Sequence, residues 1–295
     1  MRLASYNSTI VSLLLGLLVL AAPSIADDRL RPYLLLDRST ADAGATTATI
    51  RSRLEGSGFT VVGEYQPYEG ATTMAVTHPA LLQAAADSGP FGGYGAVLRL
   101  AATTVDGETQ VSIANPVYWG EALQVGDVSP VATALGSAFP DAQPFGSKKG
   151  LTEKKLAKYR YMMMMPRLRD HDELGSFADH ATALATIRNN LSNNDAGLRS
   201  VFEVAIPGRD EVLFGVAIAD GDGGDATVMA TTDQDELRHT AHLPYGLLVS
   251  GDTAYALAGK FRIALAFPDL GMGTFMKISG APNAIRDALT TLTTP

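Results

Sequence analysis

Ala48-Thr49-Ile50-Arg51, running into Gly58-Phe59-Thr60-Val61-Val62, returns later in the chain as Ala185-Thr186-Ile187-Arg188, running into Gly197-Leu198-Arg199-Ser200-Val201. Further on, Tyr94-Gly95-Ala96-Val97-Leu98 is echoed by Tyr245-Gly246-Leu247-Leu248-Val249, and Asn115-Pro116 by Phe267-Pro268. The spacing between copies is nearly constant at the first landmarks and widens at the last two. A degenerate duplication predicts two similar folding units, with a seam between them where a ligand can sit.

Ile50 and Leu54 stand at i, i+4 and predict a helix over 45–56, stopped by Gly56 and Gly58. Residues 59–65 alternate like a strand, with 73–77 as the expected partner. His78-Pro79 opens an expected helix over 79–87. The run 89–95 (Gly-Pro-Phe-Gly-Gly-Tyr-Gly) reads as a flexible entry to a strand at 96–101. Asp106-Gly107 is a hairpin turn, and the returning strand stops at Asn115-Pro116. The second copy repeats the plan: a helix over 176–191, strands at 200–206, 212–218, 246–250, 254–258 and 261–267, and a closing helix over 282–292. Asp220-Gly221-Asp222-Gly223-Gly224-Asp225 lacks the third and last ligands of a calcium loop and reads as an acidic hairpin turn. Strand, helix, antiparallel meander and helix, twice over, define an α+β architecture with helices on one face of each sheet. The expected division is 27–125 for the first repeat, 126–170 for a basic linker and 171–295 for the second repeat.

Residues 10–22 are apolar, follow Arg2 and precede Ser24-Ile25-Ala26. This predicts a signal peptide over 1–26, cut before Asp27, and a periplasmic or secreted protein. The 295-residue chain has no Cys, so disulfides, thiolate nucleophiles and Cys-ligated metals are excluded. Its formal net charge of −8 argues against a nucleic-acid partner. Beyond the leader no apolar run is long enough to span a bilayer, so no integral membrane anchor is expected after cleavage.

Leu243-Pro244-Tyr245-Gly246-Leu247-Leu248-Val249 with Phe267-Pro268, and more weakly residues 94–98 with Asn115-Pro116-Val117-Tyr118, resemble a bacterial family, the domain of unknown function catalogued under number 302. The resemblance covers most of 33–125 and 176–292, although the first copy lacks the Leu-Pro pair. It implies two tandem copies of a compact α+β unit like the TATA-binding-protein half-domain. It carries no established catalytic residues.

Several groups are candidates for chemistry. His239 and His242 stand three residues apart, with Asp233, Asp235 and Glu236 upstream, and His171 and His180 are candidates to join them across the seam. Met162-Met163-Met164-Met165 supplies soft thioethers. A metal reading therefore uses Met162, Met164, His239 and His242 for copper or zinc; its plain alternatives are a polar loop and a Met filler between the units. Lys148, Lys149, Lys154, Lys155, Lys158, Arg160, Arg167 and Arg169 concentrate positive charge in an acidic chain and suit an anionic ligand or partner, or else form a solvated helix face. Trp119, the one indole, with Tyr65, Tyr68, Tyr94 and Tyr118, is placed to line a pocket or plug the seam. No nucleophile elbow, His-Glu-x-x-His or phosphate loop is present.

No catalytic residue is assigned, and the sequence reading is an exported binding protein without a cofactor. Its site is expected at the seam, with Tyr94, Tyr118, Trp119, Lys154, Lys155 and Arg160 as contacts. The expected partners are a small molecule or a periplasmic protein, with a second copy of the chain as a further candidate. The alternative is a periplasmic copper or zinc protein.

Overall fold

The computed structural model describes residues 29–41, 43–193 and 197–294, so the expected leader over 1–26 lies outside the described residues. The first half runs β1 (Tyr33–Ser39), α1 (Ala43–Gly56), β2 (Thr60–Tyr68), β3 (Ala71–Thr77), α2 (Pro79–Asp87), a short turn of helix at Gly92–Gly95, β4 (Leu98–Val105), β5 (Glu108–Ala114) and α3 (Pro116–Leu123). Then come α4 (Ser129–Ala138), β6 (Gln143–Phe145) and α5 (Glu153–Leu156). The second half runs β7 (Asp172–Ser176), α6 (His180–Asn193), β8 (Leu198–Ala205), β9 (Glu211–Ile218), α7 (Asp225–Thr232), a short turn of helix at Thr240–His242, β10 (Tyr245–Ser250), β11 (Thr253–Ala256), α8 (Gly259–Ala266), α9 (Met272–Lys277) and α10 (Ala281–Thr291).

The strand orders are β2-β3-β4-β5-β1-β6 and β7-β11-β10-β9-β8, and every pairing is antiparallel. Read from the equivalent edge, the second sheet repeats the first strand for strand, apart from β6. The α+β class with two similar antiparallel sheets is thus what the duplication encodes. Each half has a helix between its third and fourth strands: α2 in the first, as expected at 79–87, and α7 in the second, where the sequence reading had an acidic hairpin turn.

The structure corrects the register of the repeat. Leu98 pairs with Val76, and Tyr245 pairs with Val216, so Tyr245 matches Leu98 rather than Tyr94. Asn115 caps α3 through its Oδ1, which accepts from the Val117 N–H at 3.1 Å, whereas Phe267-Pro268 follows the equivalent helix α8. The stretch 261–267 is therefore not a strand. Phe261, Ile263 and Leu265 alternate with Arg262 and Ala264, but every residue of α8 except Lys260 is buried, so periodicity could not separate strand from helix. The acidic run at 220–225 leads from β9 into α7, not through a hairpin. The linker is folded as well: β6 pairs with β1 and extends the first sheet, while 159–169 forms turns.

Side-chain alternation assigns the two faces of each sheet. On β4, Leu100 pairs with Met74 and Ile113 on the face covered by α1 through Ile50 and Leu54, all essentially fully buried. Burying each such side chain stabilises the half by about 1.5–3 kcal/mol. The other face of β4 carries Arg99, Ala101 and Thr103, which meet the second half. Arg99 Nε donates to the Pro244 carbonyl at 2.9 Å, Ala101 packs on Ala241, and Thr103 Oγ1 donates to Thr240 Oγ1 at 2.8 Å.

The halves grip each other reciprocally. The turn at Gly92–Gly95 packs on β9 and β10, and the turn at Thr240–His242 packs on β3, β4 and β5, the corresponding strands. The outer strands β2 and β8 also touch. At Gly63 the approach is so close that a Cβ would lie 2.0 Å from the Val201 carbonyl oxygen. Most of the buried apolar side chains of both halves join in one core.

Candidate functional site

The seam opens on one side into a cleft of about 520 Å³ lined from both halves. Tyr68 and residues 103–106 come from the first half, and Ala226, Met229, Ala230, Asp233, Gln234 and Arg238 from the second. The hairpins at the ends of β2 and β4 form one wall. Helix α7 forms the other, presenting Ala226 and Ala230, both exposed, one turn apart. Small side chains at those positions keep the cleft open.

A polar network lies behind its inner wall and reaches the cleft through Tyr68, Thr103, Asp233 and Arg238. Tyr68 Oη and Thr240 Oγ1 are 2.7 Å apart, and Thr103 Oγ1 donates to the same hydroxyl. Asp233 follows α7 and is buried; its Oδ1 accepts from the His239 N–H at 2.8 Å, while its Oδ2 has no hydrogen-bond partner. Burial pushes this carboxyl up to about 7, against the opposing bond from the His239 N–H. Arg238 donates to the Asp233 carbonyl, and its own N–H is accepted by Gln110 Oε1 at 3.1 Å. Burial also raises the Tyr68 phenol to about 12, so it stays a neutral donor. Tyr68, Thr103, Asp233, Gln234 and Arg238 thus line the cleft with groups of both hydrogen-bonding senses, a wall able to accept and donate hydrogen bonds to a small ligand.

Deeper in the seam lies a narrow cavity of only about 20 Å³, lined among others by Tyr94, Trp119, Arg99, His242 and Arg262. This is room for about one water-sized sphere. Trp119 Nε1 donates to the Pro32 carbonyl at 2.9 Å, and Tyr118 Oη to the Leu265 carbonyl at 2.8 Å. Tyr118 is fully buried. These rings therefore plug the seam.

Lys154, Lys155 and Arg160 lie elsewhere, along a surface groove of about 740 Å³ with Lys158, Tyr159 and Tyr161. The structure brings Tyr94 together with Trp119, and Lys154 with Lys155 and Arg160, but it does not join the two groups. The groove is basic, yet its lysines are exposed and it has no buried polar anchor like Asp233.

The metal candidates are also separated. Met163 and Met164 are 83% and 92% exposed at a turn closed by the Met165 N–H on the Met162 carbonyl at 3.1 Å, with Met164 at φ 73°. The run is a surface tip and not a filler between the units. His239 and His242 are buried, so Met162 and Met164 do not share a site with them. His239 Nδ1 donates to the Ala266 carbonyl at 3.1 Å, its ring stacks on Phe267, and burial lowers it to about 4. His171 sits among Phe91, Tyr94 and Tyr255, and His180 Nδ1 bonds the Gly251 carbonyl at 2.7 Å. Among the described residues no group of three or more His, Asp or Glu converges as a metal site.

The Gly-rich run is equally fixed. Phe91 N–H and Gly93 N–H donate to the two oxygens of Glu211 at 3.1 and 3.0 Å, and Gly92–Gly95 is buried. A Cβ on Gly93 would lie 2.7 Å from Leu248 Cδ1, so glycine is what lets this turn reach the other half. The expected flexible loop is a clasp.

Sequence reasoning missed Arg99 and Arg262. The available signal was a single charge inside an apolar run: Leu98-Arg99-Leu100 on β4 and Phe261-Arg262-Ile263 on α8. No known protein family matches the chain, and neither a curated protein nor a solved structure matches it.

Proposed function

We propose that this is an exported protein that binds a small polar molecule in the cleft between its halves. The observation that carries the reading is a 520 Å³ cleft assembled from both repeats around the buried Asp233 carboxyl and the Tyr68–Thr240–Thr103 hydroxyls. That volume lies within the range of small-molecule sites. Glu69 and Asp106 on the rim outnumber Arg238, which favours a ligand rich in hydrogen-bond donors, such as a small amine. Export rests on the apolar stretch at 10–22 followed by Ser24-Ile25-Ala26. Among the described residues no helix is long and apolar enough to cross a membrane.

The test is a thermal-shift screen with a panel of diamines, amino alcohols and polyols, repeated on Ala230→Trp. The exposed Ala230 faces the cleft, so an indole there fills it without disturbing the core. Compounds that stabilise the wild type should lose their effect in the variant. Equal stabilisation of both proteins would place the ligand elsewhere.

A further inference from the structure

We propose that the narrow inner cavity of the seam binds one small monovalent anion, chloride in size and charge, held between Arg99 of the first half and Arg262 and His242 of the second. This site is separate from the open cleft.

Both guanidiniums are taken out of water: Arg99 is 8% and Arg262 5% exposed. Their hydrogen bonds go to neutral carbonyls. Arg99 Nε and Arg262 Nη2 share the Pro244 carbonyl, each at 2.9 Å, and Arg262 Nη2 also reaches the His242 carbonyl. Arg262 further lies over the Tyr245 ring, 5.6 Å from its centroid. Among the described residues neither forms an ion pair with a carboxylate. Two like charges drawn to one carbonyl without a counter-ion are costly in a dry interior, and burial and mutual repulsion both push Arg99 below its ordinary range.

The cavity beside them is lined by donors with capacity to spare. Arg262 Nε and both ring nitrogens of His242 have no hydrogen-bond partner, and all three atoms are buried. Burial holds His242 neutral, so it offers one N–H. Asp225 accepts through Oδ2 from Tyr65 Oη at 2.7 Å and from the Ile218 N–H at 3.4 Å, leaves Oδ1 without a hydrogen-bond partner, and is raised to about 7 by burial, so it is not a full counter-charge to Arg262. A volume of about 20 Å³ admits a monatomic ion and excludes sulfate, phosphate and carboxylic acids. Its far side is apolar, with Leu81, Leu123 and Val128, which suits a weakly hydrated halide.

The test uses the full-length protein dialysed into bromide and crystallised from it, with anomalous diffraction at the bromine edge. A peak within hydrogen-bonding reach of both guanidiniums is expected. In solution, Tm should rise with chloride or bromide at fixed ionic strength and stay level with gluconate or sulfate, and Arg99→Met should lose that difference. Bromide found only on the surface, or a Tm that does not distinguish halide from gluconate, overturns the proposal.

Discussion

The two turns that cross the seam occupy equivalent places in the repeat and are built from opposite chemistry. Gly92–Gly95 offers backbone N–H groups, which a carboxylate from the other half receives. Glu211 is in turn held by Arg209 Nη2 at 2.9 Å and by Ser250 Oγ at 3.2 Å. Thr240–His242 offers side chains, and the segment leading to it is fastened by Gln110, whose Nε2 donates to the Glu236 carbonyl at 2.8 Å while its Oε1 accepts from Arg238. At the first crossing the charges are matched and the donors used. Around the second, Asp233 Oδ2, His242 and Arg262 Nε keep hydrogen-bonding capacity. Duplication made two crossings; divergence completed one as structure and left the other chemically open.

Removing Glu211 tests the first crossing most severely. Glu211→Ala leaves two backbone donors and a half-buried Arg209 without their acceptor, and should cost about 3–5 kcal/mol by urea denaturation. Gln110→Ala at the second crossing removes two bonds between neutral groups and should cost about 1–3 kcal/mol. A Gln110 loss as large as that of Glu211 would erase the contrast.

The pH dependence separates the crossings further. Burial holds Asp233 and Asp225 up at about 7, so each keeps a proton that the unfolded chain releases from about pH 4 upward. Each therefore lowers stability as pH rises from about 4 to 7. His239, pushed down to about 4, acts in the opposite sense between about pH 4 and 6.5, because there the unfolded imidazole takes a proton that the folded one refuses. Asp233→Asn removes one of the two carboxyl contributions. The slope of its stability against pH should then be more positive than that of the wild type, by up to about 1.4 kcal/mol per pH unit between about pH 4.5 and 6.5. Superimposable slopes in denaturation curves across that range would show that Asp233 is not a buried acid. The smallest effect belongs to Ala230→Trp, which should change stability by less than about 0.5 kcal/mol while abolishing any binding in the cleft.

Much of the scaffold was legible in the sequence. The expected helix at 79–87 matches α2 residue for residue, because His78 serves as N-cap through Nδ1, which accepts from the Ala80 N–H at 3.1 Å ahead of Pro79. The helices near 45–56 and 282–292 follow from apolar spacing. Helix α8 failed because all of it but Lys260 is buried, which leaves no polar face. Helix α3 was missed because Pro116 reads equally as a strand stop and as a first helical residue. The site was less legible. Asp233 stood out only as a neighbour of His239, and its free oxygen comes from burial that no local pattern records. The shared cavity of Arg99 and Arg262 joins residues far apart in the chain, which only the packing of one half on the other brings together.

The reciprocal grip has a consequence for the tether. No strand of either sheet is borrowed from the other half: β1 to β6 end at Phe145 and β7 begins at Asp172. Between them lies the exposed turn at Met162–Met165. The connection therefore acts by raising the effective concentration of one half near the other, as a linker does between binding modules. Cut at that turn, the chain becomes two complementary pieces with the logic of a two-fold dimer. They should remain one particle on gel filtration and, when expressed separately, find each other again.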